Sequence, residues 1–560
     1  MKRLSRFLVS VIMILVGFPM LGFSQDKKEP EKRDIVVPID STTQGNQKLP
    51  SIELPEFLIT GKETIDLPEF KKSAADNKVR AVDTDNRNSG NREAERVTLG
   101  ASRKEQVNLS SPTGGQNGRV EAGYGSYATP YFLGWFGQAN ADGDFLLRAG
   151  YESSSGHIKD SDYRRGSGLI RGGLHLSDDF AIAPGGEARG SIEFVGDSYR
   201  PYGSDRSARQ RTLNTFSTGV AFSSDPGETF RYNTGLYVKG SSLSDSLKTT
   251  QTQLGVEFNV QQYQRQVRLV GSAAIWLGSF SSPLPHENPY FARVRVGAQY
   301  TISSTLDIAG GASLYGFRGS DTKNIGRVLP DITLRIHPAS AISLVAAFQP
   351  RVDNTSLEAL VSSNPYLRVD AQIRHAQVLQ SYLLGGSVDI SPNVRASVAF
   401  RAENIQHHPI RFDSAQQGLW TVEYFGTSTL RSIDGELSLR LSEVDYLGMS
   451  ISVRDSKNSL TGKVLPYYPS VVLSAVYAYT FPFDLKCSLN GEFLSGQYAD
   501  VDNQRLLKSI PLLGFNVEYS LIKGLSVLLS FKNITNSNQI RFEGYKGRPF
   551  TALLGAAYSW

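Results

Sequence analysis

The chain has 560 residues, with 59 Lys plus Arg against 54 Asp plus Glu, a formal net charge of +5, and one cysteine. A single cysteine excludes an internal disulfide framework and a Cys-based zinc or cluster site. A charge this small and this dispersed excludes the electrostatic footprint of a nucleic-acid binder.

The first 25 residues read as an export signal. Lys2, Arg3 and Arg6 form its positive end, Phe7 to Phe23 its apolar core, and Gly22-Phe23-Ser24 a cleavage site. No Cys lies near that site, so a lipid anchor is not expected. Residues 26–116 then form a polar, charged periplasmic segment with little apolar periodicity. Its stretch 71–115 reads as linker or disorder. Its apolar islands are two copies of one word in "IELPEFLITGKETIDLPEF", residues 52–70. Glu53-Leu54-Pro55-Glu56-Phe57 returns as Asp66-Leu67-Pro68-Glu69-Phe70, and Pro55 and Pro68 hold both copies out of helix.

From Asn117 to Trp560 the texture changes to period-two alternation. In "ARVRVGAQY", Ala292, Val294, Val296, Ala298 and Tyr300 share one face, and Arg293, Arg295, Gly297 and Gln299 share the other. In "GLSVLLSFK", Leu525, Val527, Leu529 and Phe531 oppose Ser526, Leu528, Ser530 and Lys532. After the signal no run of 18 apolar residues occurs, so a transmembrane helix is not expected. Yet the chain holds 25 Tyr, 28 Phe and 52 Gly, a mixture that suits strands showing lipid on one face and water on the other.

The connections alternate in kind. Short polar turns fall at Asn140–Gly143, Ser177–Asp179, Asp225–Gly227, Ser303–Ser304, Pro338–Ser340, Ser391–Asn393 and Ile522–Gly524. Longer connections fall at 153–165, 316–328, 351–377, 455–467 and 496–510, while 405–430 resists assignment. Counting about ten turns gives an all-β transmembrane protein, a large antiparallel outer-membrane β-barrel of about 22 strands, within a range of roughly 20–24. The last strand, "RPFTALLGAAYSW", puts Phe550, Leu554, Tyr558 and Trp560 on one face. Phe550, Tyr558 and Trp560 are the expected signal to the barrel-assembly machinery, and Trp560 also suits an interface aromatic.

Two stretches resemble the barrel of TonB-dependent outer-membrane receptors. "NGRVEAGYGSY" (117–127) is similar to their first strand. "LSFKNITNSNQIRFEGYKGRPFTALLGAAYSW" (529–560) is similar to their last two, through Asn533, Gly544, Tyr545, Gly547, Arg548 and Phe550. The resemblance implies an outer-membrane location and substrate passage coupled to a periplasmic energy transducer. It also implies a transducer-binding box, which Glu56, Phe57, Leu58, Ile59, Thr60 and Gly61 look like; such a box binds by strand addition. Two other roles stay open for 52–70: docking to a different periplasmic or outer-membrane protein, where two linked copies raise effective concentration, and packing inside the barrel. The receptors carry a globular plug before the barrel, and residues 26–116 do not read as one. Three things are therefore candidates to fill the lumen: this segment, long loops folding inward, and a separate partner.

The remaining candidates are weaker. His407-His408 suggests a metal or haem ligand pair on a loop, and Tyr366, in Asn364-Pro365-Tyr366-Leu367, a ligand contact. Arg293 and Arg295 face the lumen, where they form a solvated wall or, alternatively, tune a pore for anions. No hydrolase, zinc-protease or phosphate-loop motif occurs, so no catalytic residue, cofactor or resident metal is expected. The leading function is a transporter in contact with outer-membrane lipid. The alternative is a structural or channel subunit of an envelope assembly or secretion machine.

Overall fold

The computed structural model describes residues 115–560, apart from 206–208, 425 and 443. The export signal, the doubled word and Glu56 to Gly61 lie outside the described residues.

One antiparallel sheet of 23 strand segments runs through the described chain. Ile342–Phe348 and Arg351–Asp353 both pair with Ala376–Ser391 and form one interrupted strand, so the barrel has 22 strands. Pro350 sits in the interruption, and it has no N–H to give the ladder. The ring closes where Gly115–Gly125 pairs with Thr129–Ala139 on one side and with Thr551–Ser559 on the other. Closure leaves no sheet edge, so every strand in the hydrocarbon layer is hydrogen-bonded on both sides.

Alternation sorts the side chains as the pattern requires. Val296, Val328 and Ile433 project outward and are exposed, while Arg119, Gln251 and Trp276 project inward and are buried. Leu529 is exposed, and Ser526, three residues earlier on the same strand and on its other face, is buried. Among the described residues no helix is long and apolar enough to cross a membrane; the strands do the crossing.

Ten connections lie at the end that holds Trp560, and eleven at the other. Seven of the ten are the turns expected from sequence; 265–266, 440–444 and 481–484 are added. Asn140 makes its turn by accepting from the backbone N–H of Asp142 and Gly143 at 3.0 and 2.9 Å. Only the connection at Ser177–Asp179 proves long, running from 176 to 186 and tied back by Leu176 N–H to Gly186 O at 2.9 Å. At the opposite end the expected long loops appear, joined by 200–210, 282–289, 407–426 and 533–550. Short turns face the periplasm and long loops the exterior in such barrels, so this second end is the outer mouth.

Candidate functional site

Loops from around the rim fold inward and meet in one core at the outer mouth. Tyr163, Tyr199, Tyr202, Leu357, Tyr366, Trp420 and Tyr545 are among its buried members, and Tyr467 and Phe542 pack against it. Of the three candidates for filling the lumen, inward-folded loops do so at this end.

The centre is aromatic. The rings of Tyr366 and Tyr545 lie 3.7 Å apart at 30°. Trp420 stands 5.5 Å from both Tyr545 and Phe542 and 6.1 Å from Tyr366. Each phenol that enters so dry a place needs a partner: Tyr545 donates to Gly418 O at 2.6 Å and Tyr199 to Pro365 O at 2.6 Å. Burial pushes the Tyr366 and Tyr545 hydroxyls far above their ordinary range. Gly418 has φ +73°, and a Cβ there would fall 2.1 Å from Gly203 O. Glycine is therefore required where the 407–426 and 200–210 loops touch backbone to backbone.

The longest excursion is residues 354–375, between the thirteenth and fourteenth strands. It carries the one helix of the described residues, α1 (Leu357–Ser363), which Ser356 caps by accepting from Ala359 N–H at 3.2 Å. Leu357, Leu360 and Val361 are its buried face. The loop reaches strands several places around the ring, the sixth and eighth among them. Leu357 N–H donates to Gln251 Oε1 at 2.7 Å, Arg211 Nη1 donates to Pro365 O at 3.0 Å, and Thr249 Oγ1 donates to Val369 O. Arg211 is fully buried and pairs with Asp245 at 3.5 Å. The loop is laced to its neighbour 407–426 by Trp420 N–H to Tyr366 O at 3.0 Å and Arg368 N–H to Trp420 O at 2.8 Å.

Three loop histidines are held neutral by burial. His157, with Arg548 close by, His375 and His408 are each pushed down to about 4. His375 Nδ1 accepts from Thr355 N–H at 3.2 Å and its ring meets the edges of Phe291 and Phe317.

The residues singled out from sequence distribute as follows. Tyr366 is buried core, so it is not placed to touch an incoming ligand. His407 hydrogen-bonds Gln377 and His408 bonds Tyr468, so the adjacent pair has separate partners. Among the described residues no cluster of three or more His, Cys, Asp or Glu is placed to hold a metal. Arg295 is clamped by Asp331, with contacts of 3.0 and 2.6 Å, which neutralises the charge that would have tuned the lumen. Asn533 pins the last loop, donating to Ser537 O at 3.1 Å and Arg548 O at 3.0 Å. Phe550, Tyr558 and Trp560 lie exposed on the lipid face, with Trp560 stacked 6.3 Å from Phe136. Sequence reasoning missed Trp420, Tyr199 and Arg211. Trp420 left a signal, a large aromatic inside an otherwise polar stretch, whereas Tyr199 and Arg211 lie in strands like any others.

No protein-family model matches the chain, and no curated protein is similar to it in sequence. Solved structures do match. The FrpB iron transporter from Neisseria meningitidis (F3-3 variant) superposes with a TM-score of 0.61 at 12% identity, over 80% of this chain and 81% of that chain. The copper transporter OprC gives 0.62 at 10% identity, over 80% and 81%. The siderophore receptor PirA from Acinetobacter baumannii gives 0.61 at 10%, over 80% and 81%. The fold is thus that of the TonB-dependent receptor barrels of the outer membrane, as the two terminal stretches implied.

Proposed function

We propose that this barrel passes a substrate across the outer membrane in concert with a periplasmic partner that pairs with Glu56 to Gly61. The observation that carries the reading is the combination of a 22-strand wall with an outer mouth closed by its own loops. A barrel of that width encloses a lumen too wide to leave open, and a built closure implies regulated passage. The likeness to transporters of iron and copper and to a siderophore receptor supports this reading and makes those the first substrates to try. Phe57 to Thr60 would add as a strand to an exposed sheet edge of the partner.

The second reading, a channel or structural subunit of an envelope machine, draws support from the same core. Tyr366, Trp420 and Tyr545 present their faces to one another and not to a ligand. A photo-crosslinker at Leu58 in intact cells separates the two. Capture of a TonB-like transducer supports driven transport, and capture of an envelope-assembly protein supports the second reading. Capture of the barrel alone refutes the partner.

A further inference from the structure

We propose that residues 354–375 form a strap that is the moving gate of the outer mouth, hinged at its base and latched to the fifth, sixth and eighth strands by Tyr199, Arg211, Thr249 and Gln251. The inference stands whether the barrel transports or anchors, because it concerns only how the mouth opens.

The base has the geometry of a hinge. Asp353 and Ala376 are paired across adjacent strands, and Thr355 N–H meets His375 Nδ1 immediately above them. The strap therefore leaves and rejoins the wall at one point, and it can swing without breaking the barrel ladder. Its rim contact there is local: Ile373 N–H donates to Ser320 Oγ at 2.8 Å, and Arg374 clamps Asp321 with a closest contact of 2.6 Å.

The latch differs in kind. On the fifth, sixth and eighth strands, side chains grip backbone atoms of the strap: Tyr199 and Arg211 share the Pro365 carbonyl, Thr249 takes Val369 O, and Gln251 takes Leu357 N–H. These grips are hydrogen bonds from side chains, with no strand pairing to the wall. The latch is also imperfectly satisfied. Arg211 Nε and Gln251 Nε2 are buried without a hydrogen-bond partner. A buried unpaired donor costs free energy that water returns on opening, so the closed state is held below its full strength. The helix on the strap is a seven-residue piece, too short to persist away from its packing. Release is therefore cooperative: once the Leu357, Leu360 and Val361 face lifts, the helix goes with it. The backbone bonds between Tyr366, Arg368 and Trp420 carry the 407–426 loop along.

The test uses the full-length protein in planar bilayers, with Cys487→Ser as background. Thr249→Cys and Val369→Cys are introduced together and joined by a short bis-methanethiosulfonate crosslinker, which forms a disulfide with each thiol as methanesulfinate leaves and which a reductant cleaves. The double variant Tyr199→Phe/Thr249→Val weakens the latch. Assembly is confirmed for each by heat-modifiable migration on a gel. The weakened latch is expected to raise the open probability about tenfold, as a modest shift of a two-state equilibrium does. The crosslinked protein is expected to stay closed, and cleaving the linker to restore openings. Openings that persist at wild-type frequency with the crosslink complete overturn the proposal. So does a weakened latch that leaves conductance unchanged in assembled barrels. If the latch variant fails to assemble, the crosslinked pair alone decides. Failure of the Leu58 crosslink would leave this result untouched.

Discussion

Tyr366 and Tyr545, 179 positions apart in sequence, stack with their ring centroids 3.7 Å from each other at the outer mouth. One belongs to the strap and the other to the last loop before the closing strand, so a single aromatic contact joins the middle of the chain to its end. The mouth is closed by a small tertiary core in which inward-folded loops pack on strand residues such as Tyr163, Tyr199 and Leu243, on a wall built only from neighbouring strands.

That separation predicts a local phenotype for Tyr545→Ala. Removing a buried ring of this size costs about 3–5 kcal/mol, and the cost should fall on the loops. Limited proteolysis should cut within 354–375 and 407–426 faster than in the wild type, while heat-modifiable migration of the barrel stays unchanged. Loss of barrel assembly would show that loops and wall fold as one unit.

Acid should loosen the mouth. His157, His375 and His408 sit near 4 when closed, against about 6.5 in an open, solvated loop. Each is neutral in both forms above about 6.5, where closure is complete in this respect. Between there and about 4 the open form takes up protons first, so closure weakens as pH falls, and it levels off below 4. Burial is the main cause and neighbouring charges modify it: Arg548 and Lys546 oppose charging of His157, and at His408 Arg411 opposes it while Glu403 favours it. Hydrogen exchange of strap amides, corrected for intrinsic rate, should accelerate from pH 7.5 to 4.5. His375→Gln should flatten that dependence; an equally steep curve in the variant would remove His375 from the explanation.

The seam of the barrel has its own clasp. Arg119, on the first strand, reaches Glu121 at 2.7 Å and Glu518, three strands away across the closure, at 3.0 Å. Arg119→Ala would strand two carboxylates on the inner wall, and breaking a buried pair in this way costs about 3–5 kcal/mol. The temperature at which the barrel unfolds on a heated gel should drop. Arg119→Lys should recover part of it, since one ammonium cannot match both forks of the guanidinium.

Spin labels placed singly at Val527 and Ser526, on a Cys487→Ser background, should report opposite surroundings. Val527 should respond to a lipid-soluble quencher and Ser526 to a water-soluble one. Equal responses would mean that the strand is shifted by one residue, which inverts every side chain.

For the segment before the barrel, Leu58→Pro should weaken partner capture far more than Leu58→Ala. Proline removes a backbone donor from the added strand, whereas alanine removes only side-chain contact. Equal losses in the two variants would point to side-chain recognition without strand addition.

The sequence by itself determined the wall. Period two is a local property: Val294 and Val296 face lipid and Arg293 and Arg295 the lumen because adjacent side chains of any strand point opposite ways. Turn chemistry at Asn140, Asp225 and Gly524 is equally local, and counting such turns was enough to reach 22 strands. The mouth was decided only by tertiary structure. Tyr366 reads as an aromatic on a polar loop, open to a ligand, until Trp420 and Tyr545 arrive from loops that no periodicity connects to it. Nothing in the sequence marks Arg211 and Tyr199 among the other strand residues, and their role comes only from the Pro365 carbonyl laid across them. Strand pairing propagates from neighbour to neighbour along the chain. A loop core depends on which distant loops reach the same point in space, and that is set by the curvature and closure of the whole barrel.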